Sequence, residues 1–355
     1  MSPRIWNSIA TGKQPKKHGI ISFAHPGEEG VQHLYLSSDR KVHALWNIVS
    51  DAGMSVAVIN WWNTFPPEII NGVMVSDHLQ GREVEGRENL TQASATPSGA
   101  LVFPEHWEPR LTELLSIKES PVSIQDPFAE NDQLAHPILS ESSLSRYFQE
   151  DGAVLRLALE VEAAERPDVM LVFFPGIDRV SHFLWGTIEP AELYPEVLRP
   201  SPSEREAGVA AFERYYEYTD ALLGALLERY GPDDLVIVLS DHGFEAGIEL
   251  GLLTGVHNSE EAQHGVIFAR GAGIPRGTVA GELNVLDITP TILTWLGLPV
   301  GDDMDGSVAE FVGGKAVGSI GTHDSEPVER LQSAPSGADE KILENLRALG
   351  YFEDD

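Results

Sequence analysis

Short apolar runs alternate with segments of helical periodicity along most of the chain. Runs of four to six residues rich in Val, Ile and Leu predict strands, and they lie at residues 55–60, 73–76, 169–174, 235–239 and 266–269. Apolar residues spaced three or four apart predict helices, and these lie at residues 3–11, 41–52, 203–230, 287–296 and 342–349, with a further helix ending near residue 166. This alternation is typical of an α/β fold with a mostly parallel sheet.

Cap residues define the ends of two of these helices more closely. Ser2 is a typical N-cap, Pro3 suits the first helical position, and Gly12 is a typical stop for the first helix. Ser203 opens the long helix in the second half of the chain, where Glu206 would complete a capping box.

The length of 355 residues is enough for one large α/β domain with an insertion. We predict this domain over residues 1–320, with an inserted cap at about 80–150. Within the cap, the segment 83–99 is polar and contains Gly, Ser and Thr, which predicts a surface loop. A further loop is predicted at 243–255, and residues 321–355 form a polar tail that ends in a short helix.

Two of the predicted strands are followed by the same kinds of polar residue. The run 235–239 predicts a buried parallel strand, and Asp241 and His242 come just after it. A second strand precedes Asp178 and His182, which are four residues apart and would share one face of a helix. Because ligands bind at the carboxyl ends of strands in open α/β sheets, these side chains predict one site. Asp and His are common ligands of divalent metals.

The composition narrows the range of partners. The chain has 24 Lys and Arg residues against 55 Asp and Glu residues, which gives a net charge of -31. Such a surface repels nucleic acid and anionic lipid, so we expect neither as a partner, and an enzyme with this charge would need cations to act on a phosphate ester. The absence of cysteine excludes disulfides, thiolate ligands and a cysteine nucleophile. No apolar run approaches the roughly 20 residues of a membrane span.

Several motifs follow one another in a familiar order and extend over nearly the whole chain: Ser2-Pro3, Ser8-Ile9-Ala10-Thr11-Gly12, His18-Gly19-Ile20, Asp178 to His182, Ser240-Asp241-His242-Gly243, Thr254-Gly255-Val256-His257, Gly265-Val266-Ile267-Phe268, and Asp287-Ile288-Thr289-Pro290-Thr291 through Met304-Asp305-Gly306. With these motifs the chain resembles the alkaline phosphatase superfamily, specifically its type I phosphodiesterase and nucleotide pyrophosphatase branch. The resemblance implies a doubly wound, mostly parallel sheet flanked by helices, with an inserted cap region. It also implies a phosphodiesterase or phosphatase type of hydrolase.

The resemblance further implies two divalent metal ions, usually zinc, although manganese or iron would also fit mixed Asp and His ligands. Its ligands for the first ion would be Asp178, His182 and His257. Asp241 and His242 would contribute to the second ion. His264 is an alternative to His257 as a ligand, but we favour His257.

Ser2 stands where the family keeps its Ser or Thr nucleophile. The implied reaction is attack of the Ser2 hydroxyl on phosphorus, a covalent phosphoseryl intermediate, and hydrolysis of that intermediate by water. A hydroxyl is a weak nucleophile unless its pKa is lowered, and a helix N-terminus favours a phosphate group. The implied substrate is a small phosphate ester.

The family also takes an Asp ligand from a strand upstream of the nucleophile helix, and no such strand precedes Ser2 in this sequence. We therefore expect a truncated member that lacks the first strand, and the sequence leaves open whether the chain as given is active. A sulfatase-like hydrolase is an alternative, but its formylglycine chemistry needs a Cys/Ser-x-Pro-x-Arg motif, and Ser2-Pro3-Arg4 lacks that spacing. A second alternative is a non-catalytic member that binds a ligand or a partner.

Overall fold

The computed structural model describes residues 2–26, 32–81, 100–129, 142–249, 253–271, 273–277, 281–311, 318–331 and 343. Its α-helices are α1 (Ser2–Thr11), α2 (Pro15–His18), α3 (Leu45–Asp51), α4 (Glu108–Ser116), α5 (Ser142–Glu165), α6 (Gly176–Ile188), α7 (Pro202–Leu227) and α8 (Ile288–Trp295). Its strands are β1 (Ala24–Pro26), β2 (Gln32–Leu34), β3 (Val56–Trp61), β4 (Gly72–Ser76), β5 (Val102–Phe103), β6 (Val169–Val172), β7 (Val236–Leu239), β8 (Glu245–Glu249), β9 (Leu253–Val256), β10 (Ile267–Arg270), β11 (Val300–Gly301) and β12 (Ser319–Ile320).

The central sheet has four strands in the order β5-β4-β3-β6. β3 is parallel to both β4 and β6, so that Val58 lies opposite Met74 on one side and Leu171 on the other. β5 is antiparallel to β4. The predicted α/β fold with a mostly parallel sheet is therefore confirmed, and three of the predicted strands form its centre.

β3 is buried along its whole length because helices cover both faces of the sheet. On one face Val58 belongs to an apolar cluster with Trp6 of α1 and Trp46 of α3. On the other face Ile59 belongs to a second cluster, which includes Val154 of α5. Successive side chains of a strand alternate between its faces, so this all-apolar strand can supply both layers of the core.

α1 ends where the sequence predicts, because Gly12 has a φ of +66°, a backbone conformation that favours glycine. A Cβ at this position would also lie 3.0 Å from the Pro290 ring. The Thr289 hydroxyl donates a hydrogen bond of 2.7 Å to the Ile9 carbonyl, which fixes α1 against α8.

β7 belongs to a different part of the molecule from β3. It pairs with β10, in an antiparallel register that sets Leu239 opposite Ile267. The prediction that residues 235–239 form a buried parallel strand is therefore wrong: within the described residues its hydrogen-bonded neighbour is antiparallel, and all four residues of β7 are only half-buried. The reason for the exposure is a cavity of about 860 Å³, which β6 and β7 both line together with parts of α1 and α7.

Two helices begin at other residues than predicted. α3 begins at Leu45 rather than near residue 41. The capping box of α7 uses Ser201 and Glu204, with hydrogen bonds of 2.7 and 3.3 Å between them, rather than Ser203 and Glu206. Pro202 accounts for the shift at α7 because proline suits the first helical position and the cap therefore lies one residue earlier.

Some predicted segments differ in structure or fall outside the described residues. The segment 243–255 is not only a loop, since β8 and β9 pair as an antiparallel hairpin there. Residues Val102–Phe103, inside the predicted cap, form β5 of the central sheet. The predicted loop 83–99, and the predicted helix 342–349 apart from Leu343, lie outside the described residues. Among the helices that the structure describes, none has the length and apolar character needed to cross a bilayer.

Candidate metal centre

α6 begins directly behind the carboxyl end of β6 and positions two of the predicted ligands. The backbone N–H of Gly176 donates a 3.2 Å hydrogen bond to the buried Asp151 carboxylate, which also accepts one of 2.9 Å from the Tyr215 hydroxyl. A Cβ at Gly176 would lie only 1.8 Å from the Tyr215 oxygen, so the first turn of α6 requires glycine here. Asp178 and His182 follow on one face of this helix, as their spacing predicts.

The structure brings the predicted ligands from three segments together. His242 Nε2 lies 3.5 Å from Asp178 Oδ1 and 3.6 Å from Asp241 Oδ2. His182 Nε2 lies 3.7 Å from the same Asp178 oxygen. Asp178, His182 and His257 each offer one ligand atom, and these atoms all lie within 4.8 Å of one another. Two ligand atoms on a tetrahedral ion with bonds of about 2.1 Å are roughly 3.4 Å apart, so these separations suit metal coordination.

Backbone carbonyls fix the ring orientation of two of the histidines. His182 Nδ1 lies 3.0 Å from the Gly255 carbonyl oxygen, and His242 Nδ1 lies 3.0 Å from the Gly243 carbonyl oxygen. Since a carbonyl oxygen only accepts, each Nδ1 carries the proton and donates it. The Nε2 atom of each ring therefore points toward Asp178, which is the arrangement that metal-binding histidines use.

Burial and neighbouring charges shift the pKa values of two residues in this cluster. Burial, and then the neighbouring His242 ring, lower the pKa of His257 to about 4, so this imidazole is neutral at neutral pH. Burial raises the pKa of Asp241, His242 lowers it, and the nearby Asp178 carboxylate raises it again. Asp241 Oδ2 and His242 Nε2 are buried and make no hydrogen bond within the described part of the chain. A divalent cation would satisfy both atoms, so the residues present fit a metal ion.

Ser2 lies at the same place as this cluster. It is only 5% exposed, and it lines the cavity that Asp178 and Asp241 also line. The Ser2 side chain also contacts the Asp241 carboxylate, whose pKa is raised overall by burial. As the first residue of α1, Ser2 also stands at the positive end of a helix of 10 residues.

The other histidines near these motifs have different surroundings. His264, the alternative to His257, is exposed and does not belong to the metal-ligand group found among the described residues. His18 is fully buried, where its Nδ1 accepts from the Ile20 N–H and its Nε2 therefore donates to the Ser8 hydroxyl at 3.1 Å. His18 is thus a structural residue of the α1 to α2 connection.

Two residues around the cluster have no sequence signal that would identify them. The ring of Phe244 stands edge-on to three imidazoles, with centroid distances of 5.1 Å to His182 and 5.6 Å to both His242 and His257. Asp151 fixes the start of α6 from 25 residues earlier in the chain.

Comparison with solved structures identifies the class of fold. A structure described as a 2-O GAG sulfatase matches with a TM-score of 0.50 and 14% identity, over 98% of this chain and 80% of that one. A phosphonate monoester hydrolase from Silicibacter pomeroyi matches with a TM-score of 0.44 and 15% identity, over 86% of this chain and 65% of that one. The chain therefore shares its fold with the sulfatase structure.

The sequence itself gives the family. The model of the family described as "Type I phosphodiesterase / nucleotide pyrophosphatase" matches residues 2–264, which include all the predicted site residues. The chain belongs to this family and is a hydrolase of the alkaline phosphatase superfamily. A search among curated proteins found no match.

Proposed function

We propose that the chain is a metal-dependent hydrolase of phosphoric esters, of the phosphodiesterase type, with Ser2 as its nucleophile. The observation that supports this most strongly is the convergence of Asp178, His182 and His257, whose ligand atoms lie within 4.8 Å of one another. His242 joins them through its Nε2, 3.5 Å from Asp178. The ligands come from three separate segments of the chain. A cluster with a purely structural role would not need such a convergence.

Asp178, His182 and His257 would hold one divalent ion, and Asp241 and His242 would contribute to a second. Zinc is the ion we propose, because neutral imidazole nitrogens and carboxylate oxygens are its common ligands. When bound, such ions supply positive charge that lowers the pKa of a nearby hydroxyl and stabilises negative charge on the phosphate oxygens.

The residues of the chain have defined tasks in the proposed reaction. The Ser2 oxygen forms a bond to phosphorus while the bond from phosphorus to the leaving alcohol breaks. The contact with Asp241 orients the Ser2 hydroxyl and offers a carboxylate that can accept its proton. The N-terminus of α1, where Ser2 stands, would favour the negative charge of the phosphate. Water then hydrolyses the phosphoseryl ester and restores Ser2.

The test is metal content together with turnover of bis(p-nitrophenyl) phosphate, measured for the wild type, Ser2→Ala, His242→Ala and the matched control His264→Ala. We expect zinc bound by the wild type, Ser2→Ala and the control. Turnover should be lost in Ser2→Ala, and turnover together with one of the two zinc ions should be lost in His242→Ala. His264→Ala should behave as the wild type because His264 is exposed and outside the ligand group.

Equal turnover in the wild type and His242→Ala would contradict the proposal. Zinc binding without any turnover by the wild type would also contradict it, in favour of a non-catalytic member that retains the ligands.

A further inference from the structure

The helix that carries Asp178 and His182 receives its N-terminal cap from another part of the chain. Pro175 stands at the N-cap position of α6, and its side chain makes no capping hydrogen bond. Proline has no polar side-chain atom, so an acceptor for the backbone N–H groups of the first turn has to come from elsewhere. The Asp151 carboxylate of α5 accepts from the Gly176 N–H at 3.2 Å. The start of α6 is therefore fixed by a contact between helices.

The Asp151 carboxylate is itself held in place by a third helix. Asp151 is fully buried, and its other oxygen accepts a 2.9 Å hydrogen bond from the Tyr215 hydroxyl of α7. A Cβ at Gly176 would lie only 2.2 Å from Asp151 Oδ2, so α6 approaches this carboxylate more closely than any other residue would allow. Three helices thus meet two residues before Asp178.

A second carboxylate of α5 holds the same turn of α6 on the other side of Asp178. Arg179 follows Asp178 directly and donates a hydrogen bond to the Glu150 carboxylate. The two side chains of this pair are only 8% and 9% exposed. Glu150 and Asp151 therefore fix α6 on either side of Asp178. Because both contacts are buried, breaking either of them would leave a polar group without compensation from water.

The position of this turn decides whether Asp178 can share an ion with ligands from other segments. His242 Nε2 lies 3.5 Å from Asp178 Oδ1, and His257 offers a ligand atom within 4.8 Å. Neither histidine belongs to α6, so the geometry of that helix alone does not set these separations. Metal sites require ligand distances within about 0.2 Å of their ideal values. A small displacement of the first turn of α6 would therefore weaken binding.

We propose that Asp151 is a positioning residue of the metal centre, which holds the first turn of α6 where Asp178 meets the histidines of the other segments and thereby sets the affinity for zinc. This inference rests on the proposed function, because it requires that the cluster binds the ion. Asp151 does not belong to the ligand group and acts through the Gly176 N–H. Partners that orient metal ligands typically contribute about 10- to 100-fold to metal affinity.

Competition with a chromogenic zinc chelator measures this affinity. Burial raises the pKa of Asp151 to about 7, so the titrations are made at about pH 8, where the carboxylate is ionised. Asp151→Ala removes the acceptor of the Gly176 N–H, and we expect it to weaken binding of the ion that Asp178 would hold by about 10- to 100-fold. Asp151→Asn keeps an oxygen that can accept the same hydrogen bond, so it should restore most of the affinity.

Cobalt in place of zinc adds a spectroscopic readout, because the visible absorption of bound cobalt depends on the number and arrangement of its ligands. We expect the spectrum of the wild type to be kept in Asp151→Asn and changed in Asp151→Ala. A loss of stability that leaves the ligands in place would not alter this spectrum.

Two matched variants separate positioning from a general loss of stability. Asp168→Ala removes another carboxylate that accepts a backbone N–H, from Ser55 at 2.8 Å, but at the opposite end of β6 from the metal centre. Ile48→Ala leaves a cavity in the apolar cluster on the face of the sheet opposite α5. Both variants should bind zinc with the affinity of the wild type and keep its cobalt spectrum.

Unchanged zinc affinity in Asp151→Ala would overturn the inference and leave the proposed function standing. Equal losses of affinity in Asp151→Ala and Ile48→Ala would also overturn it. If Asp151→Ala does not fold, Tyr215→Phe decides, because it removes only the hydroxyl that holds Asp151. It should also weaken zinc binding, though less, and unchanged affinity there would overturn the inference. A wild type that binds no zinc would overturn both the inference and the proposed function.

Discussion

The strands that precede the two pairs of ligands, β6 and β7, both line the cavity but belong to different sheets. β3 and its neighbour β6 belong to the four-stranded sheet, and β3 is covered on both faces, so that Ile59 is fully buried. β7 and β10 form a two-stranded ribbon in which every β7 residue is half-buried and Phe268 is 67% exposed. We call these regions the packed half and the open half.

The candidate metal centre draws on both halves. Asp178 and His182 follow β6 in the packed half, whereas Asp241 and His242 follow β7 in the open half. Ligands from two differently packed regions can only meet if the junction between the regions is held in place. Ions at this junction would therefore bind the halves together as well as serve the chemistry, because binding to the native state adds to its stability.

The largest effect should come from removing one ligand from either half. We predict that Asp178→Asn in the packed half and Asp241→Asn in the open half each lower kcat/KM for a p-nitrophenyl diester by more than about 100-fold, since even residues that only orient ligands cost 10- to 100-fold. Zinc content and steady-state kinetics measure this. A loss confined to one of the two variants would show that only one half contributes to the site.

A matched pair of isoleucines measures the difference in packing itself. We predict that Ile59→Ala lowers the free energy of unfolding by about 2–5 kcal/mol, because it leaves a cavity in a closed core. Ile237→Ala, at a half-buried position of β7, should cost only about 1 kcal/mol because its side chain already borders open space. Urea unfolding of both variants gives the comparison, and equal losses would show that the two halves are packed alike.

We also predict that acid lowers the free energy of unfolding through the buried His18. Burial, and then the nearby Arg40 charge, lower the pKa of this histidine from 6.5 to about 4. Its Nδ1 accepts a hydrogen bond from the Ile20 N–H, which protonation of Nδ1 would break. A lowered histidine pKa means that the unfolded chain takes up the proton first. The stabilising contribution is thus complete above pH 6.5, is lost as the pH falls toward 4, and amounts to at most about 3 kcal/mol.

The variant His18→Asn tests this assignment, because its amide oxygen can still accept from the Ile20 N–H but does not titrate in this range. Its unfolding free energy should depend less on pH between 6.5 and 4 than that of the wild type. Parallel profiles for the two proteins would assign the acid sensitivity to other groups.

The smallest effect is expected at the exposed face of β10. Phe268→Thr should change the free energy of unfolding by less than about 0.5 kcal/mol, since the ring is 67% exposed and threonine suits a strand. Thermal melting measures the change. A clear loss of stability would mean that Phe268 is covered in solution, and that the open half is less open than described.

Local periodicity explains which parts of this structure the sequence could predict. The apolar run of β3 and the four-residue spacing of Asp178 and His182 depend on the chain near them, and both predictions were confirmed. The half-burial of β7 depends on which strands lie beside it, which no local pattern encodes. The β8 and β9 hairpin was missed because its tight fit is a tertiary property: a Cβ at Gly247 would lie 2.2 Å from Val256.

The candidate site shows the same division between local and long-range signals. Asp241 and His242 could be chosen because they follow a strand, and the structure places them beside Asp178. The contribution of Asp151 could not be predicted, because its hydrogen bond to the Gly176 N–H joins α5 to α6 across 25 residues of sequence. Such contacts become visible only when the helices are packed together.

The most direct test of the central claim is an anomalous difference map from zinc-soaked crystals, recorded at the zinc absorption edge. We predict one peak among Asp178, His182 and His257, and a second next to Asp241 and His242, close to the Ser2 hydroxyl. Crystals that take up zinc elsewhere on the acidic surface, with no peak among these five side chains, would contradict the assignment of this cluster as a metal centre.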